Sequence, residues 1–184
     1  MLSVNLTYNN YMKKYVKFEN EKILIVNKKY KLSRFYRPGD IFLEVKKAFE
    51  KMQIDAYKRG VLLLIVSGFR SYDYQMLLYN RYKKEDPLNV DKYSAKPGHS
   101  EHQTGLAIDI VNTESKNIKK FKKEFEWLNK NAYKYGFVLR YPENKEIITG
   151  YKYEPWHYRY VGKNLAIILY NKGKWLTLEE YFNL

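Results

Sequence analysis

The sequence predicts an α+β fold, on three observations. A continuous apolar run, Val61–Val66, reads as a buried strand and ends in Ser67-Gly68-Phe69-Arg70-Ser71. Phe121, Phe125, Leu128, Ala132 and Tyr135 recur at steps of three and four residues, the spacing of one helix face, and Gly136 closes the run. The remaining strand-like segments are short and separated by turns, a mixture of helix and antiparallel hairpin rather than a doubly wound sheet.

The elements follow in order. Residues 1–35 are polar, with one strand-like run at Lys22–Val26. Pro38-Gly39-Asp40 breaks the chain, and Asp40 is expected to cap a helix carrying Val45, Ala48, Phe49, Met52 and Ala56, with Gly60 at its C-terminal end. After the Val61–Val66 strand a second helix is predicted over Tyr72–Lys83, then a polar loop over Lys84–Ser100. Leu106–Val111 reads as a strand with Asp109 inside it. The third helix is followed by a strand at Phe137–Arg140, a turn at Tyr141-Pro142-Glu143-Asn144, and strand-like segments at Ile147–Thr149 and His157–Val161. Short helices are expected at Asn164–Tyr170 and Leu178–Phe182.

Composition narrows the function classes. The 184 residues suit a single domain, 1–184, with 1–35 as an N-terminal extension packing on it. Cysteine is absent, which excludes disulfides, thiolate catalysis and Cys-ligated zinc. No stretch approaches the roughly 18 apolar residues of a membrane span. The N-terminus lacks a basic region followed by an apolar one, so the chain is expected either to be cytoplasmic or to lack its signal or anchor. The net charge of +14 favours polyanions, nucleic acid or an anionic cell wall. The lysines are scattered, as in Lys13-Lys14, Lys28-Lys29, Lys83-Lys84 and Lys119-Lys120-Lys122-Lys123, and no nucleic-acid motif accompanies them. A solvated basic surface is therefore preferred to specific nucleic-acid binding. The 20 tyrosines are read as coding bias rather than as the lining of a groove.

The chain has three histidines, His99, His102 and His157. Two imidazoles with one carboxylate are a common ligand set for catalytic zinc, leaving a fourth position for water. His102 and His157 supply the imidazoles. Asp109, between Ile108 and Ile110, is a carboxylate in an apolar strand that needs a partner, and a metal ion is a good one. Gly105 permits the turn that brings His102 back toward Asp109. Glu154, three residues before His157, is the natural base. Pro155 disfavours helical Glu154, so the segment is not the helical H-E-x-x-H of many metalloproteases. Arg70, at a strand end, is placed to grip a carboxylate or an oxyanion, or to pair with Asp73 or Glu101.

Together Ser-Gly-Phe-Arg-Ser with Gln75, then Ser100-x-His102-x-x-Gly105-x-Ala107-x-Asp109, then Glu154-x-x-His157, resemble the VanY-type zinc D-alanyl-D-alanine carboxypeptidases. The wider group includes lysostaphin-like peptidases and the hedgehog signalling domain. The resemblance spans about residues 23–162, with the motifs in the family's order. It implies a small antiparallel sheet flanked by helices and one Zn2+ per chain on His102, Asp109 and His157. Glu154 would be the general base, Arg70 would hold substrate and polarise the scissile carbonyl, and Gln75 and Ser100 would contact the terminal D-residue or its carboxylate. His99 has no ligand role in the pattern and is left as a group behind the ligands. The implied reaction removes the C-terminal D-alanine of a peptidoglycan stem peptide, by a monomer outside the membrane at an anionic bacterial wall. Competing expectations are an L,D-carboxypeptidase acting on tetrapeptide stems, a wall endopeptidase of the same fold, and a non-catalytic zinc-binding recognition domain.

Overall fold

A computed structural model of the chain describes residues 14–111 and 121–184. Residues 1–13 of the N-terminal extension, together with Lys119 and Lys120, lie outside these. The first described segment is a hairpin in which β1 (Lys14–Phe18) pairs antiparallel with β2 (Glu21–Ile25). The sequence shows only its second strand, because alternating Lys, Tyr and Val in β1 merges with the polar stretch around it. The hairpin is part of the core: Phe18, Ile23 and Ile25 are buried with residues of the main body.

Helix α1 (Leu43–Tyr57) buries Val45, Phe49, Met52 and Ala56, the residues whose spacing predicts it. Its N-cap is Phe42, not Asp40. The Asp40 carboxylate is instead used by the Ile41 N–H and by Lys46, two residues before the capping position. Gly60 sits beyond the helix end at Tyr57, where its positive φ closes the turn and its N–H bonds Tyr57 O.

The central sheet has four antiparallel strands in the order β3 (Leu64–Ser67), β4 (Ala107–Val111), β6 (His157–Tyr160), β5 (Phe137–Leu139). The apolar run Val61–Val66 is not a buried strand. Val61 and Leu63 are buried, whereas Leu62, Leu64 and Val66 are 46%, 41% and 53% exposed. Among the described residues β3 is an edge strand, paired with β4 alone.

Strand alternation divides the sheet into two faces. Ile108, Ile110, Phe137, Leu139 and Tyr158 join the core with α1, with α3 (Lys122–Asn131), which buries Phe125 and Leu128, and with α5 (Lys163–Tyr170), which buries Leu165, Ala166 and Leu169. The opposite face carries Asp109, His157 and Arg159, and the register sets Asp109 directly across from His157. Helix α2 (Tyr72–Glu85) begins at Ser71, whose Oγ accepts the Tyr74 N–H, and stands beside that polar face.

Ile147–Thr149 is not strand but the short helix α4 (Glu146–Thr149). Its β-branched residues favour a strand, yet Ile147 points to solvent and no neighbouring strand is paired with it. Gly150 in the left-handed region ends the turn. The chain closes with α6 (Leu178–Phe182), held by a capping box between Thr177 and Glu180.

Candidate metal centre and cleft

His102 lies in a 3-10 turn, Glu101–Thr104, that begins after Ser100. Gly105 closes the turn at φ +73°, and a Cβ there would come within 2.7 Å of Asp40 O. Only glycine fits both requirements. The chain then enters β4 and returns Asp109 beneath His102, while the β4–β6 pairing brings up His157. The three residues form a group whose ligand atoms lie within 4.8 Å of one another. His102 Nε2 is 3.3 Å and His157 Nδ1 is 3.1 Å from Asp109 Oδ1. Ligands bound to one tetrahedral ion at about 2.0–2.1 Å are separated by about 3.3 Å, close to both distances from Asp109, so the donor set suits a divalent metal such as zinc.

Hydrogen bonds aim the two rings. His102 Nδ1 is 2.7 Å from Gly68 O, which can only accept, so Nδ1 carries the proton and Nε2 presents a lone pair. That Nε2 is buried and has no hydrogen-bond partner among the described residues, an expensive arrangement unless a cation completes it. His157 turns the other way, with Nδ1 toward Asp109 and Nε2 toward Glu101 Oε2 at 3.5 Å.

The electrostatics agree. Burial, followed by the Arg70 guanidinium, pushes His102 down to about 4, so it stays a neutral imidazole. Burial opposes charge on His157 as well, but its hydrogen bonds to Asp109 and Glu101 prevail and raise it to about 9. Asp109 is held well below the usual carboxylate range; burial works against this, but His102 and His157 outweigh it. Without a metal, the position between Asp109 and His157 is thus held by a proton on His157, which a metal ion would replace.

Glu154 precedes β6 and places Oε2 3.7 Å from His157 Nδ1. Its carboxyl is raised to about 7, chiefly by burial, with Asp109 adding to the shift and His157 opposing it. Arg70 extends from the loop after β3, whose own N–H bonds His102 O. Its Nη2 is 3.9 Å from Asp109 Oδ2 and its Nε has no partner. Arg70 is not spent on the structural pairings open to it in the sequence: Asp73 is taken by Arg34 and Arg37, and Glu101 by Arg140 and Arg159.

These residues lie in one cleft of about 1060 Å3, lined also by Gln75 and Ser100. Gln75, on α2, donates Nε2 to Ala95 O at 2.8 Å and leaves its Oε1 buried without a partner. Ser100 is buried where the His102 turn begins. His99 stands apart from the ligand group, with Nδ1 2.7 Å from Asn27 O, tying the turn to the segment after β2.

The sequence reading missed three features. Ser94 and Tyr151 line the cleft with buried, unpartnered hydroxyls. Glu101 reads as a loop acid but is fully buried between Arg140 and Arg159. A charge beside the apolar runs FVL and HYRYV was the only available signal for those arginines.

A family model described as VanY, D-alanyl-D-alanine carboxypeptidase, matches residues 41–163. The D-alanyl-D-alanine carboxypeptidase of Enterococcus faecium is 41% identical over 141 residues, covering 76% of this chain and 43% of that protein. The solved LdcB LD-carboxypeptidase superposes with a TM-score of 0.82 at 40% identity, over 92% of this chain and 90% of the other. The vancomycin-resistance D,D-pentapeptidase VanY of a VanB-type cassette, solved with Zn(II), gives 0.75 at 32% identity, over 87% and 98%. The chain spans 66%, 43% and 48% of the lengths of three curated relatives. Motif, geometry and likeness agree that the chain belongs to the VanY family of D-alanyl-D-alanine carboxypeptidases.

Proposed function

We propose that this protein is a zinc-dependent carboxypeptidase that removes the C-terminal D-alanine from peptidoglycan stem peptides. The observation that carries the reading is the His102–Asp109–His157 group, with the Glu154 carboxyl beside it at the floor of a cleft. The three residues hold the ion. When bound, zinc supplies Lewis acidity and makes water a nucleophile near neutral pH.

The remaining chemistry belongs to the side chains. Glu154, whose pKa lies near 7, takes a proton from the attacking water and returns it to the leaving amine. Arg70, anchored beside the ligands with an unspent Nε, meets the developing oxyanion or the substrate carbonyl. Gln75 and Ser100 contact the terminal D-residue, and the unpaired Gln75 Oε1 suits a substrate N–H. The wall places the reaction outside the membrane, and a +14 chain is attracted to anionic wall polymers.

A second reading has its own support. The LD-carboxypeptidase LdcB superposes with a higher TM-score and identity than the D,D-pentapeptidase. An L,D-carboxypeptidase would shorten tetrapeptide stems with the same residues. Mass spectrometry of pentapeptide and tetrapeptide stems incubated with zinc-loaded protein separates the two. Release of one D-alanine from the pentapeptide is expected. Release from the tetrapeptide alone would transfer the assignment to the second reading.

A further inference from the structure

From Glu101, in the cleft lining beside His157, a chain of buried ions runs to β2 and α6. Glu101 Oε1 accepts from Arg140 Nε at 2.9 Å and Arg159 Nη1 at 3.1 Å. Arg140 in turn grips Glu179 of α6 through two bonds, at 2.9 and 2.6 Å. Glu179 also accepts from Asn27 Nδ2 at 2.9 Å, and Arg159 Nη2 reaches Leu24 O in β2 at 2.8 Å. Glu101, Arg140 and Arg159 are each 1% exposed. None of these side chains has an unpartnered nitrogen or oxygen. Two carboxylates face two guanidiniums, so the cluster is balanced without help from His157.

We propose that Glu101 is a positioning residue for the metal site: its second oxygen accepts the Nε2–H of His157 and so leaves the Nδ1 lone pair for the ion, while Arg140 and Glu179 hold Glu101 in place. The inference rests on the metal reading above. Glu101 Oε1 is committed to two arginines, and Oε2 is the oxygen that faces the ring, at 3.5 Å. A carboxylate between two guanidiniums stays ionised and can only accept. When an ion takes the place of the Nδ1 proton beside Asp109, 3.1 Å away, the proton facing Glu101 stays on Nε2 and the Nδ1 lone pair is free for the ion. Tyr141 packs against the ring in a tilted arrangement, with centroids 4.9 Å apart, and limits rotation. Partners of this kind behind a ligating histidine typically contribute about 10- to 100-fold to metal affinity. Glu179, Asn27 and Leu24 lie outside the segment matched by the family model, so the hairpin and the C-terminal helix are both recruited to hold one ligand.

The test is zinc affinity by competition with a chromophoric chelator. Wild type, Glu101→Gln, Glu101→Asp and Glu179→Gln are compared in the full chain. Glu101→Asp keeps the charge for both arginines but withdraws the carboxylate from the ring, so it folds even where Glu101→Gln does not. Both Glu101 variants are expected to bind zinc about 10- to 100-fold more weakly. Glu179→Gln is expected to lose less, about 2- to 30-fold. In the cadmium-113 wild-type protein, the metal is expected to couple to His157 Nδ1, with Nε2–H present as a slowly exchanging, downfield proton. Unchanged affinity in both Glu101 variants, or coupling through Nε2 of His157, would overturn the proposal. A wild type that binds no zinc would instead overturn the metal reading itself.

Discussion

The two sides of the His157 ring carry two buried polar clusters that differ in one respect. On one side, His102 Nε2, Arg70 Nε and Gln75 Oε1 are buried and have no partner among the described residues. On the other side, Glu101, Arg140, Arg159 and Glu179 are equally buried and every nitrogen and oxygen is paired. An unpaired buried polar atom costs about 1–3 kcal/mol, so the fold bears several such costs on one side and none on the other. The unpaired cluster is the one shaped for a ligand, and the paired cluster is scaffold. Position alone does not separate them, since both touch His157.

The comparison can be broken in several places, beginning with the largest effect. His102→Ala should abolish tight zinc binding, read as metal per chain by elemental analysis, and with it D-alanine release. Glu154→Gln should keep the metal yet lower kcat by about 10²- to 10⁴-fold, read in a D-alanine release assay. Arg140→Leu removes one partner from the paired cluster, leaving Glu101 with Arg159 as its one guanidinium partner and Glu179 without a guanidinium. It should cost about 3–5 kcal/mol in urea unfolding, more than a cleft substitution of similar size.

The two clusters also predict opposite pH responses in protein stripped of metal. Glu154 in the folded protein titrates near 7, above its ordinary 4.5. The folded state therefore holds its proton longer, and stability falls as pH rises from about 4.5 to 7. The total is on the order of 3 kcal/mol, and the Glu154→Gln protein should lack that slope. Glu101 is shifted the other way: burial opposes the shift, but Arg140 and Arg159 overcome it. Its contribution is complete above about 4.5 and is lost as pH falls below that value. Unfolding free energies of wild type and Glu154→Gln between pH 5 and 8 check the sign. The smallest effect belongs to a residue outside both clusters. Asp73→Asn breaks the exposed pairs with Arg34 and Arg37 and should cost under about 1 kcal/mol, with D-alanine release unchanged.

Much of the cleft side was legible in the sequence, and little of the scaffold side. Histidine is scarce in this chain, so two of three copies near suitably spaced carboxylates stood out. Asp109 was conspicuous because the strand around it is apolar. The helices α1 and α3 were legible because their buried residues repeat at helical spacing. The ion chain was not, because its partners lie 39 to 152 residues apart and each charged residue alone reads as a surface charge. Local propensity also misled where tertiary context decides. Ile147–Thr149 has strand-like residues but no strand to pair with, and Val61–Val66 is continuous in hydrophobicity yet half exposed at a sheet edge.

The proposal of a zinc peptidase site on the unpaired side of His157, with Glu154 as base, can be tested with two proteins. Zinc-loaded wild type and Glu154→Gln, each verified to hold one zinc, should be incubated with a pentapeptide stem and the products weighed. The wild type is predicted to yield the tetrapeptide plus free D-alanine, and the variant to do so at least about 100-fold more slowly. Release at equal rates by both proteins, or no release by either from any stem peptide, would contradict it.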